Sequence, residues 1–394
     1  MKTQTMFTSA LRALRAALLL VLTACGGGVE TGGTGAGAYV QGPITGFGSV
    51  IVAGVRFDDS CSNCIEDADG TRRSRDDLRL GMMVEVESGP IGDDGSGGRV
   101  ATATRVRLVS ELLGPVTEAF NTAESRIAVL GQPVQLTPAT VVDGVLGGAA
   151  SLRVDDVVEV FGFSAEMDGY VATRIERRSS APDSYRVRGQ VRDLDRMANT
   201  MRIGVQGFDL TTTGVPAGLD NDQFVRLAVR TQQVGGRWPV VSVAIEDRSA
   251  GDHDEAEVEG LISAFTNAAT FSVNGVRVDA RNAIAPAGLA VGVRVKVRGR
   301  SLAGVLMAAS VEIHDDDDVF SEGVDIRDVI ATVDATTQTF TLRGITVFYG
   351  GVAPNQFEHG TAADLAPTRR VRVRGTVSAD GTRVIATRIE FMDH

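Results

Sequence analysis

One phrase recurs five times along this 394-residue chain and restricts its fold more than any other feature. An apolar alternation meets a glycine and is followed by a second apolar alternation. The copies read SVIVAGVRF at 49–57, RIAVLGQPV at 126–134, RIGVQGFDL at 202–210, FSVNGVRV at 271–278 and FTLRGITV at 340–347. A glycine-led segment precedes each, with leading glycines Gly42, Gly114, Gly189, Gly260 and Gly323, separated by 72, 75, 71 and 63 residues. Each unit then carries a charged alternation: MMVEVES at 82–88, DVVEVFG at 156–162, FVRLAVR at 224–230, VRVKVRG at 293–299 and VRVRGTV at 371–377. A closing segment follows, and its ATRIE is identical at 172–176 and 386–390. A period of this size marks an array of small domains.

Within each segment apolar and polar residues alternate with period two, the signature of a strand with one covered face. Val84 and Val86, or Val293, Val295 and Val297, point inward on this reading. Glu85 and Glu87, or Arg294, Lys296 and Arg298, point to water. The fold class is all-β. About five short strands per unit leave exposed edges unless the sheet closes, which predicts a small barrel. The central glycine suits a bend or bulge in its strand. One helical turn fits between the third and fourth segments, for example at Ala363, Asp364 and Leu365. This layout resembles the oligonucleotide/oligosaccharide-binding (OB) barrel, and SH3-like barrels and small sandwiches satisfy it too. The predicted units are 39–110, 111–179, 185–249, 256–315 and 320–394. Their joints are 179–184 with Pro182, the acidic 249–259 (SAGDHDEAEVE) and 314–318 (HDDDD). Joints this short predict neighbouring barrels that touch.

Residues 1–24 read as an export signal. Lys2, Arg12 and Arg15 precede the apolar run AALLLVL at 16–22, too short to span a bilayer. Leu22-Thr23-Ala24-Cys25 resembles the lipobox of bacterial lipoproteins. That resemblance implies that Cys25 carries the lipid and becomes the mature N-terminus, with the acyl chains holding the protein to a membrane. Gly26 stands where an aspartate favours inner-membrane retention in that family, so the expected address is the outer membrane, facing periplasm or cell surface. Residues 25–38 form a tether, rich in glycine.

The phrase GPITGFGSVIVAGVRF at 42–57, with the signal and tether before it, resembles bacterial lipoproteins built from repeats of domain of unknown function 5666. The likeness spans nearly the whole mature chain and is strongest at 40–57 and 80–86. It implies a cell-envelope β protein and carries over no catalytic residue.

Composition narrows function by exclusion. A net charge of −11, falling near −14 once the signal is removed, opposes a nucleic-acid partner bound through its phosphates. Twenty aromatic residues in the whole chain leave little for stacking platforms. Three Cys and four His predict no metal framework and no cofactor. Cys61 and Cys64 form a C-x2-C pair whose simplest reading in an oxidising compartment is a local disulfide. A redox pair, a zinc site and free thiols are the competing readings. The flanking Asp58, Asp59, Glu66 and Asp67 work against a low thiol pKa, and a zinc site lacks two further ligands.

The acidic clusters Asp252-His253-Asp254-Glu255, His314 to Asp318 and Asp67-Ala68-Asp69-Gly70 match no spaced calcium loop and read as solvated charge. The same holds for the stripe Arg369, Arg370, Arg372 and Arg374. No G-x-S-x-G elbow or P-loop is present, and no catalytic residue emerges. The expected protein is therefore non-enzymatic: a lipid-anchored binding, spacer or scaffold module meeting an envelope protein or a polysaccharide. A glycan- or peptidoglycan-acting enzyme with carboxylates in an inter-repeat cleft is the alternative. Metal sequestration by the acidic joints is a weaker one.

Overall fold

The computed structural model describes residues 37–61, 63–95, 97–165, 169–314, 320 and 323–392. The signal, Cys25 and the Asp315–Asp318 run lie outside the described residues. The described chain is all-β, with only single 3-10 turns besides strands.

Barrel 4 shows the plan. Its strands are His253–Asn267, Thr270–Val273, Val276–Asp279, Arg294–Leu302 and Val305–Ile313. The first pairs antiparallel with the second and fourth, the second with the third, and the fourth with the fifth. A parallel pairing of the third with the fifth closes the ring. The order 1-2-3-5-4-1 is that of the OB barrel, which separates this fold from an SH3-like barrel or a sandwich. Barrels 1, 2 and 3 close through the same pairings. Barrel 5 differs only in its first strand, which is broken into Val324–Val329 and Thr332–Asp334. The expected helical turn exists as Ala362–Asp364, where Asp364 accepts from the Thr361 N–H at 2.8 Å.

Each core is small and aliphatic. Val258, Ile262, Val273, Val295, Val297 and Leu306 are fully buried in barrel 4, the inward half of the alternation. The central glycine is not a bulge. In four copies it is the second residue of a two-residue hairpin turn that divides the phrase into two strands, and in the third copy the turn is Gly204-Val205, with glycine first. Asn274 and Gly275 have φ of 48° and 84°, and Arg343 and Gly344 have 48° and 74°. Positive φ at both positions is the turn that matches strand twist, and glycine adopts it without a steric penalty.

Strand register also corrects the fifth repeat. Gly42, Gly114, Gly189 and Gly260 stand opposite Val84, Val158, Val225 and Val295. The matching Val371 faces Asp328, so Asp328, and not Gly323, holds the leading position.

The barrels do not follow one another as beads. The first strand of barrel 1, Ala38–Phe47, ties three of them together. Its start pairs in parallel with barrel 4, from Ala38 opposite Glu255 to Gln41 opposite Val258. Its end pairs in parallel with barrel 5, Gly46 opposite Asp325 and Phe47 opposite Ile326. A Cβ on Gly46 would overlap the Asp325 carbonyl oxygen, so only glycine permits this approach. The first strands of barrels 2 and 3 join through Leu112 opposite Val187. From His253 onward the acidic joint is itself strand, held by barrel 1 on one side, and is not a solvated linker.

Such packing overturns part of the inside-outside reading. Arg294 and Lys296, expected in water, are 2% and 6% exposed. Their barrel's outer face is covered by neighbours: Arg294 is ion-paired with Glu259 and lies 5.3 Å from the Phe163 ring centroid of barrel 2.

Candidate functional site

The seams between barrels hold the charged groups. Arg188 of barrel 3 is 2% exposed, lies 2.7 Å from Glu246 and 3.5 Å from Glu111, and its N–H donates to the Glu111 carbonyl at 2.9 Å. Arg248, in the joint to barrel 4, lies 3.5 Å from Glu111, stacks 4.1 Å from the Phe224 ring centroid and donates to the Asn274 carbonyl at 3.0 Å. Burial lowers the Arg188 pKa, but Glu111 and Glu246 outweigh it and hold the group above its usual value. Burial pushes Glu246 up, and the guanidiniums of Arg188 and Arg248 more than reverse this. Both groups therefore stay charged while withdrawn from water.

A cleft of about 190 Å³ opens where barrels 1, 2 and 3 meet. Its floor includes Met82, Leu108 and Phe161, and its walls carry Arg73, Arg79, Arg178, Arg186 and Arg226. The carboxylates there are already engaged. Asp67 lies 3.0 Å from Arg73, Glu159 2.8 Å from Arg186, and Glu176 2.9 Å from Arg178. Asp77 accepts from the Ser74 N–H at 2.7 Å, and that bond chiefly holds its pKa below the usual range. Asp69 pairs with two of the wall arginines, Arg186 at 2.9 Å and Arg226. A glycosidase acid needs a raised pKa and a carboxylate partner across the scissile bond. Here Asp67, Glu159 and Glu176 are each held by an arginine, and Asp77 by a backbone N–H.

A second, open groove of about 660 Å³ runs between barrels 1 and 4, lined by Arg99, Arg298, Arg300, Asp254, Glu255 and Glu257. Glu257, 2% exposed, anchors it at 2.8 Å from Arg99 and 3.1 Å from Arg298.

Of the residues singled out from sequence, Asp67 lines the three-barrel cleft, Asp69 pairs with two of its arginines, and Asp254 and Glu255 line the open groove. Cys61 and Cys64 sit in a barrel 1 loop with Cα atoms 5.7 Å apart, a separation that a disulfide spans. Asp252 accepts from the Ala303 N–H at 2.6 Å, and His253 Nδ1 lies 3.2 Å from the Gly37 carbonyl oxygen. Asp67 closes a turn by accepting from the N–H groups of Asp69 and Thr71, both at 3.0 Å. Among the described residues no three His, Cys, Asp or Glu gather as metal ligands. Arg372 is not part of an open stripe, since it grips Asp325 through two bonds of 2.9 and 2.6 Å. Arg188, Glu111 and Arg248 carried no signal in the sequence, because their burial depends on which barrels meet.

Fold and seams define a tandem protein of small OB-type β-barrels. The model of the family Domain of unknown function (DUF5666) matches residues 114–176, 259–312 and 329–390, three regions consistent with repeats of this domain. The third match begins beside Asp328, in agreement with the register. No curated protein matches the chain. Among solved structures, "drosophila Unr CSD456" is 14% identical, with 54% of this chain and 99% of that one covered. Its TM-score of 0.14 is too low to bear on fold or function.

Proposed function

We propose that the protein is a non-enzymatic, lipid-anchored scaffold of the outer membrane that presents inter-barrel clefts to an envelope protein or polysaccharide. One observation carries this reading: the barrels are fused into a single body by cross-barrel strand pairing and buried ion pairs. A freely jointed spacer needs no such seams. A fused body holds several charged clefts at set distances, so that weak contacts to one extended partner add. The engaged carboxylates of the three-barrel cleft favour recognition over acid-base chemistry. The lipobox supports the anchor at Cys25.

Two measurements test the reading. Metabolic labelling with a palmitate analogue is expected to mark the wild type in the outer-membrane fraction and to miss Cys25→Ser. A photo-crosslinking residue at Arg178, in the cleft wall, is expected to capture a discrete envelope component. Unlabelled wild type would remove the anchor, and an empty crosslinking profile would remove the scaffold role.

A further inference from the structure

We propose that the seam between barrels 1 and 5 is an oxyanion-binding site that takes a phosphate group. Three guanidiniums, those of Arg56, Arg327 and Arg372, converge on one carboxylate, Asp325. Arg372 occupies both carboxylate oxygens in a fork-on-fork pair. Arg56 and Arg327 stand outside it at 3.7 and 3.9 Å, beyond hydrogen-bond distance. Arg56 Nη1 and Arg327 Nε are buried without a hydrogen-bond partner. A buried, unmet donor is costly, and a charged one more so. A partner that meets both donors is therefore favoured.

The surroundings increase the imbalance. Arg327 stands directly opposite Arg372 in the antiparallel pair, a like-charge pairing that destabilises a sheet. Burial, then the charges of Arg56 and Arg372, press the Arg327 pKa below its usual value. The carboxylate beyond Arg372 is Glu390, 3.8 Å away on the side of the closing strand. The backbone fixes the arrangement. Gly46 lets barrel 1 approach Asp325, and a Cβ on Gly48 would lie 2.6 Å from the Cβ of Arg327. The side chains of Arg56 and Arg327 remain 23% and 30% exposed, so part of each guanidinium-bearing chain reaches solvent while the two unmet nitrogens are covered. Planar N–H groups on several guanidiniums match the oxygens of a phosphate better than any single ammonium does. The inference rests on this geometry alone and does not depend on the anchor or the scaffold role.

The test uses the mature chain with Cys25→Ser, in buffer of constant ionic strength. Inorganic phosphate is titrated by calorimetry and by the midpoint of thermal unfolding. Saturable heat and a rising midpoint are expected. Arg327→Gln is expected to weaken phosphate about tenfold, the loss of one charge-assisted bond. In phosphate-free buffer the same variant is expected to unfold no earlier than the wild type, because it relieves a like-charge contact. Arg56→Gln, on the other wall, provides a second variant should the first misfold. Absence of saturable binding, or equal affinity in both variants and wild type, overturns the proposal. Flotation with phosphatidic acid vesicles, against phosphatidylcholine, separates the sources. Arg327-dependent flotation assigns the phosphate to a lipid headgroup, and binding of free phosphate without flotation assigns it to a soluble or polymer-borne group.

Discussion

Asn274 folds back over Gly260. Its Nδ2 donates to the Glu259 carbonyl at 3.1 Å, and its Oδ1 accepts from the Leu261 N–H at 3.3 Å. A Cβ at Gly260 would fall inside that side-chain amide. The two glycines of the repeat are thus one device: the hairpin tip at the second closes over the first. Leu130 crowds Gly114 and Ile203 crowds Gly189 in the same way. In barrel 5 the pair becomes Asp328 and Arg343, with Arg343 Nε 3.8 Å from the carboxylate. Gly260→Ala is expected to cost about 1–3 kcal/mol as an overpacking change. Combining it with Asn274→Gly should recover part of the loss. Denaturant midpoints check both, and an unshifted midpoint for Gly260→Ala would contradict the closure.

Breaking the buried pair network is expected to be more damaging. Arg188→Met leaves Glu111 and Glu246 with Arg248 as their one shared partner, Glu246 keeping Arg226 at 3.3 Å, and should cost about 3–5 kcal/mol. Replacing Arg188 and Glu246 together by apolar residues should cost less than the single change. A double-mutant cycle in urea reads the coupling directly.

Acid should find the same network. Burial raises the pKa values of Glu246 and Asp325, but arginine contacts outweigh it, so both lie below their reference values of 4.5 and 3.8. A carboxylate depressed in the folded state stabilises at pH above its unfolded value and loses that contribution as pH falls through the folded one. Stability is therefore expected to be level near neutrality and to fall below about pH 4.5. Glu246→Gln should be less stable at pH 7 and show a shallower acid limb. An unchanged limb in chemical unfolding across pH 2–7 would remove Glu246 from the linkage.

Cys61 and Cys64 are expected to be bonded in protein exported to an oxidising compartment. Intact mass should rise by two hydrogens on reduction, and alkylation should require the reductant. Two thiols that alkylate without reduction would sink the assignment.

Trp238, the single tryptophan, is 4% exposed and donates from Nε1 to the Leu130 carbonyl at 3.2 Å, across the seam of barrels 2 and 3. If the seams couple the barrels, its fluorescence should change together with far-ultraviolet circular dichroism in one transition. A separate early fluorescence transition would show barrels unfolding independently.

The barrels were legible in the chain, and the assembly was not. Period-two alternation places Val295 and Val297 inside their own barrel whatever surrounds it, and an Asn-Gly pair makes its turn from local backbone preference. Strand class, repeat number and the buried half of each strand follow from such short-range rules. The outward half does not. Glu85 and Lys296 occupy the same repeat position, and both are withdrawn from water, Glu85 paired with Arg107 and Lys296 beside Glu257. Asp328 took over a glycine's place through a register that only its partner Val371 reveals. The pairing of Gly46 with Asp325 joins residues 279 positions apart, and no local pattern encodes such a contact. Seams, clefts and the arginine cluster come from which charged faces meet, and that choice is made only when the barrels pack.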